Sequence, residues 1–83
     1  MTINFKDIEN AYKRIRGSII KTPLASNDYI NNLLDAEVYF KLENLQITGS
    51  FKLRGATHKI SKISSDVINN GVVAYSSGNH AQA

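Results

Sequence analysis

The run Val72-Val73-Ala74-Tyr75, entered through Gly71 and left through Ser76-Ser77-Gly78-Asn79, constrains the fold more than any other part of this chain. A short unbroken apolar run between turn residues has no polar face to offer water, so it reads as a strand buried on both sides. Strands of that kind belong to sheets with helices on both faces, which makes α/β the expected class. The turn after the run opens an apparent helix at the carboxyl end of a strand, the place where open α/β sheets bind ligands and free N–H groups face an anion. The 83 residues end as that helix begins. The crossover is unfinished, and the expectation is a truncated part of a larger domain.

Upstream, Ile8, Ala11, Tyr12, Ile15 and Ile19 recur at helical spacing while Lys6, Glu9, Lys13, Arg14 and Arg16 fall on the other, solvated side, predicting an amphipathic helix from Phe5 to about Ile19. Asn4 and Asp7 are placed to cap its start. Lys21-Thr22-Pro23-Leu24 is expected to be extended, since Pro23 lacks an N–H and pushes Thr22 away from helical angles. A second helix starts near Ser26, carries Tyr29, Ile30, Leu33 and Leu34 as its apolar stripe, and ends before Glu37. Val38, Phe40 and Leu42 then alternate with Tyr39 and Lys41, which predicts a strand over 37–42. Asn44 to Gly49 reads as a loop, and Ser50 can cap a helix running to about Ile63.

Composition narrows the function classes. With 42% apolar and 20% charged residues the chain is ordinary for a globular fold, but at this length its own core is marginal. The net charge of +3 is spread from Lys6 to Lys62 with no basic block, which argues against a nucleic-acid partner. The absence of cysteine excludes a disulfide framework and a cysteine metal site, and a cytoplasmic setting is expected, with no metal. No apolar stretch has the length of a signal peptide or a membrane span, so no membrane partner is expected. No repeat or linker divides the chain, and residues 1–83 read as one portion of a single domain.

Two segments carry chemistry: Lys41-Leu-Glu-Asn-Leu-Gln-Ile-Thr-Gly-Ser-Phe-Lys-Leu-Arg-Gly-Ala56 and Ser76-Ser-Gly-Asn-His-Ala-Gln-Ala83. The first places Lys52 in the opening turn of a helix, between Phe51 and Leu53 and just after a Thr-Gly-Ser turn. A lysine becomes a Schiff-base nucleophile only when neutral, and apolar neighbours, a helix N-terminus and Arg54 all disfavour its charge. Position therefore singles out Lys52 among seven lysines. The plain alternative is an exposed lysine with a snorkelling stem. Lys59 is taken to lie on the far side of the same helix. Glu43 and Gln46 read as residues that orient the lysine loop, and Arg54 as one that tunes Lys52 or pairs with a carboxylate outside these residues. Asn79 in a Gly-Asn turn can be a turn former only, and His80 can simply pack or cap.

The first segment is similar to the lysine signature of the fold-type II pyridoxal 5′-phosphate (PLP) enzymes, and within them to the threonine/serine dehydratase (ammonia-lyase) and serine racemase branch. The second resembles that branch's Asn loop, and Thr22-Pro23-Leu24 with the first helix resembles its usual opening. The resemblance implies the N-terminal part of a tryptophan synthase β-like, three-layer αβα fold, incomplete in these residues. It implies that Lys52 carries PLP and acts as the base for the α-proton, that Phe51 sits beside the cofactor ring, and that Asn79 bonds its 3′ oxygen. Ser76, Ser77, Gly78, Asn79 and His80 are implied to hold the carboxylate of a small amino-acid substrate.

The reaction implied is deamination of L-threonine or L-serine to a 2-oxo acid and ammonia, with serine racemisation or hydroxyaspartate dehydration as alternatives. Ser77 is where serine racemases are thought to place the second base, and it can equally be a carboxylate donor or a turn residue. The glycine-rich phosphate loop of the family is not in these residues, so the 83 residues alone are expected to be inactive, as part of a parent that is a homodimer or tetramer.

Overall fold

In the computed structural model, which describes Met1–Ala83, the chain opens on α1, Phe5–Ile15. Asn4 and Asp7 form the expected capping box: Asp7 N–H donates to Asn4 Oδ1 at 3.0 Å, and Asn4 N–H donates to Asp7 Oδ2 at 2.9 Å. α1 stops at Ile15, short of the predicted Ile19, with Arg16 as its C-cap. Gly17 follows at once, and the cost of ordering glycine in a helix favours the tight turn in which Ser18 N–H reaches Ile15 O.

The chain then runs extended into β1, Leu24–Ala25, and α2, Asp28–Leu34. α2 thus starts two residues later than the expected Ser26, and Asn27 caps it by accepting from Ile30 N–H at 3.1 Å. Ser26 is instead turned outward from the helix: its hydroxyl donates to Val38 O and accepts from Asn31 Nδ2, each at 3.0 Å. Asp35 ends α2 in the left-handed region at φ 48°, a conformation that a short polar side chain tolerates. β2, Phe40–Lys41, pairs antiparallel with β1, Leu24 opposite Lys41 and Ala25 opposite Phe40. The predicted strand over 37–42 thus shrinks to the two residues that find a partner.

A 3-10 turn over Glu43–Leu45 begins the loop, and Gly49 at φ 79° reverses the chain where a side chain would be strained. α3 spans Lys52–Ser61, α4 Ser65–Ile68 and α5 Asn79–Gln82. α1 packs on α3, and α3 on α5. α4 is too short to leave a periodic signature in the sequence. No helix is long and apolar enough to cross a membrane.

The element order is α/β as expected, but Val72–Tyr75 is not a buried strand. It is extended, its backbone makes no main-chain hydrogen bond, and Val73 and Tyr75 are 100% exposed. A strand exists only where a neighbour takes its N–H and C=O groups, and the β1–β2 ribbon lies elsewhere. The apolar core is correspondingly small: only Ile15 and Leu53 are buried, beside the polar Thr22, Gln46 and Ser50. The radius of gyration is 16.4 Å, against about 12 Å for a compact chain of this length.

With so few apolar contacts, urea unfolding of the 83 residues followed by helix circular dichroism should be broad, and an apolar-surface dye should bind without denaturant. A sharp sigmoid with no dye binding would contradict this packing.

Candidate active site

A polar network at the root of the lysine loop holds the segment that leads into Phe51 and Lys52. Gln46, 4% exposed, lies against the main chain of Ile20: Ile20 N–H donates to Gln46 Oε1 and Gln46 Nε2 donates to Ile20 O, both at 2.8 Å. Thr22, 3% exposed, donates its hydroxyl to the Glu43 carboxylate. Lys41 Nζ donates to Thr22 O at 2.6 Å. The segment before Pro23 is thereby held against Lys41, Glu43 and Gln46, residues spaced irregularly in sequence and gathered here on one patch.

Arg54, in the first turn and a half of α3, closes the network. Its guanidinium grips Glu43 through Nε and through Nη2, the latter at 3.1 Å from Oε2. This fork geometry is the strong form of a charge-assisted pair. The partner of Arg54 is therefore a carboxylate of this chain, not one outside it, because the 3-10 turn folds Glu43 back onto α3. Arg54 hydrogen-bonded to Glu43 holds that carboxyl down to about 2, with the Thr22 hydroxyl adding to the effect and burial opposing it. The Arg54 guanidinium is raised in turn, first by its hydrogen bonds to Glu43.

Lys52 stands at the start of α3, where Ser50 Oγ accepts from its N–H at 3.4 Å. The neighbouring Leu53 is buried towards the core while Lys52 is exposed. Lys52 Nζ lies 5.7 Å from the centre of the Phe51 ring, within cation–π range. Both residues line a cavity of about 800 Å³ whose far wall is made by Val72–Ala74 and by α5, including His80. The structure therefore brings Phe51, Lys52 and His80 to one space. Ser76, Ser77, Gly78 and Asn79 precede or open α5 next to that wall but do not line the cavity. Ser76 Oγ accepts from Gly78 N–H at 3.1 Å, which tightens their turn.

Lys59 also lines the cavity. It is not on the far side of α3, since seven residues make almost two full turns and return to the same face. Lys13 on α1, outside the cavity, is the sounder control for Lys52.

Residues 15–83 match the family model described as pyridoxal-phosphate dependent enzyme. The chain belongs to this family. It is 52% identical over 82 residues to the serine racemase of Dictyostelium discoideum, covering 99% of this chain and 25% of that protein. It is 48% identical to the biosynthetic L-threonine dehydratase of Lactococcus lactis, covering 96% of this chain and 19% of that one. Among solved structures, maize serine racemase superposes with a TM-score of 0.89 at 34% identity, covering 98% of this chain and 26% of that chain. The chain thus spans about a quarter or less of the length of these relatives, and its α/β fold matches the N-terminal part of a fold-type II PLP enzyme.

The residues present fit pyridoxal phosphate, the family's cofactor. Its aldehyde requires a primary amine, which Lys52 offers at the cavity wall, and its flat ring suits the Phe51 face. Gly55 keeps the wall between the turns of α3 low: a Cβ built there would meet nothing within 4 Å.

A depressed carboxyl contributes stability that is complete above its ordinary range and is lost as pH falls through its folded value. The helix signal should therefore fade from pH 4.5 towards about 2 as Glu43 takes up its proton. Glu43→Gln should remove that component and cost about 2 kcal/mol by leaving Arg54 half-buried without its partner. Acid titration of both forms by circular dichroism checks it, and identical curves would refute the clamp.

Proposed function

We propose that residues 1–83 form the N-terminal portion of the catalytic domain of a PLP-dependent ammonia-lyase acting on L-threonine or L-serine. The observation that carries this reading is the one cavity that Phe51 and Lys52 share with His80 of α5. It joins the two segments that resemble the dehydratase branch, although 19 residues separate them in sequence. A cytoplasmic homo-oligomer suits the cysteine-free chain and the large apolar surface it leaves uncovered.

Pyridoxal phosphate, when bound, supplies the electron sink for loss of an α-proton and a β-hydroxyl. The chain's part is position and proton transfer. Lys52 would hold the cofactor through its primary amine, and the same Nζ, once free, would accept the α-proton of the substrate. Phe51 would flank the cofactor ring and Asn79 would hydrogen-bond its 3′ oxygen. Ser76, Ser77, Gly78, Asn79 and His80 hold the substrate carboxylate, which leaves the β-hydroxyl free to depart. The Glu43–Arg54 pair keeps the first turn of α3, and with it Lys52, seated on the loop.

Racemisation of serine is the second reading, favoured by Ser77 and by the high identity to a protein named serine racemase. It requires a proton donor on the cofactor face opposite Lys52, and Ser77 is the hydroxyl assigned to it.

Borohydride trapping followed by peptide mapping should place the PLP adduct of the intact enzyme on Lys52. Lys52→Ala should abolish adduct and turnover, and Lys13→Ala should leave both unchanged. Incubation with L-serine should give pyruvate. If D-serine also forms, Ser77→Ala should remove it while largely sparing pyruvate. An adduct on another lysine sinks the Lys52 assignment, and D-serine undiminished in Ser77→Ala sinks the second base.

A further inference from the structure

Beyond the lysine cavity, the chain holds a second cavity of about 670 Å³ where the N-terminal arm, α1 and α3 meet. Its walls combine two kinds of chemistry. Ile3, Ile8 and Ala11 make an apolar floor, while Arg14 from α1 and His58 and Lys62 from the C-terminal end of α3 bring basic side chains from two separate elements. Neither Arg14 nor Lys62 has an ion-pair partner or a side-chain hydrogen bond, and the salt bridges of the chain are Lys6–Glu9 and Glu43–Arg54. The one acid on the wall is Asp7, two helical turns before Arg14, and its carboxylate already accepts the Asn4 N–H at 2.9 Å in the capping box. Like charges converging on a concave, partly apolar space repel one another and lower each other's hydration, and an anion placed between them relieves both costs.

We propose that this cleft binds a small phosphate-bearing anion. Arg14 supplies the planar fork that matches two phosphate oxygens, Lys62 a mobile point charge, and the His58 ring a further donor at the half-buried end. The apolar floor suits an uncharged body attached to the phosphate. None of these residues takes part in the lysine site, so this assignment stands or falls independently of the reaction.

Pyrophosphate serves as the probe, titrated calorimetrically into the intact protein at constant ionic strength so that general screening is held fixed. Saturable binding is expected. Arg14→Gln and Lys62→Gln should each weaken it about tenfold or more, the loss of one charged hydrogen-bonding partner. Arg14→Lys should fall between, keeping the charge but losing the fork. Lys13→Gln, which removes a neighbouring cation outside the cleft, should leave the affinity unchanged. All three side chains are exposed, so these changes spare the fold. Absence of saturable binding, an equal loss in Lys13→Gln, or citrate binding as tightly as pyrophosphate would each overturn the proposal.

Discussion

The ion pair between Glu43 and Arg54 joins two stretches that little else holds together: the irregular loop after β2 and the first turns of α3. Around it Thr22, Lys41 and Gln46 tie the segment before β1 to the same loop. A buried ion pair is weak evidence of net stability, because desolvation offsets much of the attraction. Its worth here is geometric. A bidentate fork fixes distance and orientation together, and the group whose orientation follows is Lys52, two residues before Arg54. In the reaction proposed for Lys52, an amine at a helix start gains from such fixation more than from any general strengthening of the fold.

That polar centre sits where most domains have an apolar one. Two apolar residues are buried, while Phe40, Phe51, Tyr39 and Val73 lie largely in the open. The apolar side chains are sufficient in number for a core but are distributed over faces that do not meet one another. α1 and α3 pack through Ile15 and Leu53, and the other helical stripes face outward. The arrangement fits a chain that spans about a quarter or less of the length of its relatives.

Much of this was legible in the sequence. The capping box of α1, the extended Thr22-Pro23 segment and the placement of Lys52 at the head of a helix follow from local rules that act within a few residues. What was not legible depends on partners distant in sequence. The strand expected at Val72–Tyr75 needs neighbours that the β1–β2 ribbon does not provide. The Thr22–Glu43 and Ile20–Gln46 contacts link positions with no periodic relation, so reading Glu43 and Gln46 as residues that orient the lysine loop did not reveal their partners. The shared face of Lys52 and Lys59, by contrast, was available from helix geometry alone.

The Gln46 clasp on Ile20 also bears on the order of events as the chain folds. Its ends are separated by 26 residues, so closing it is a longer-range step than the growth of any one helix, which joins near neighbours only. Until then α3 can be helical while its lysine has no defined direction. Under the proposed assignment of Lys52, an aldehyde arriving early would meet an amine no different from the others, and one arriving late would meet an amine held at a cavity wall. Chemical selectivity among the lysines is on this view a late product of chain closure.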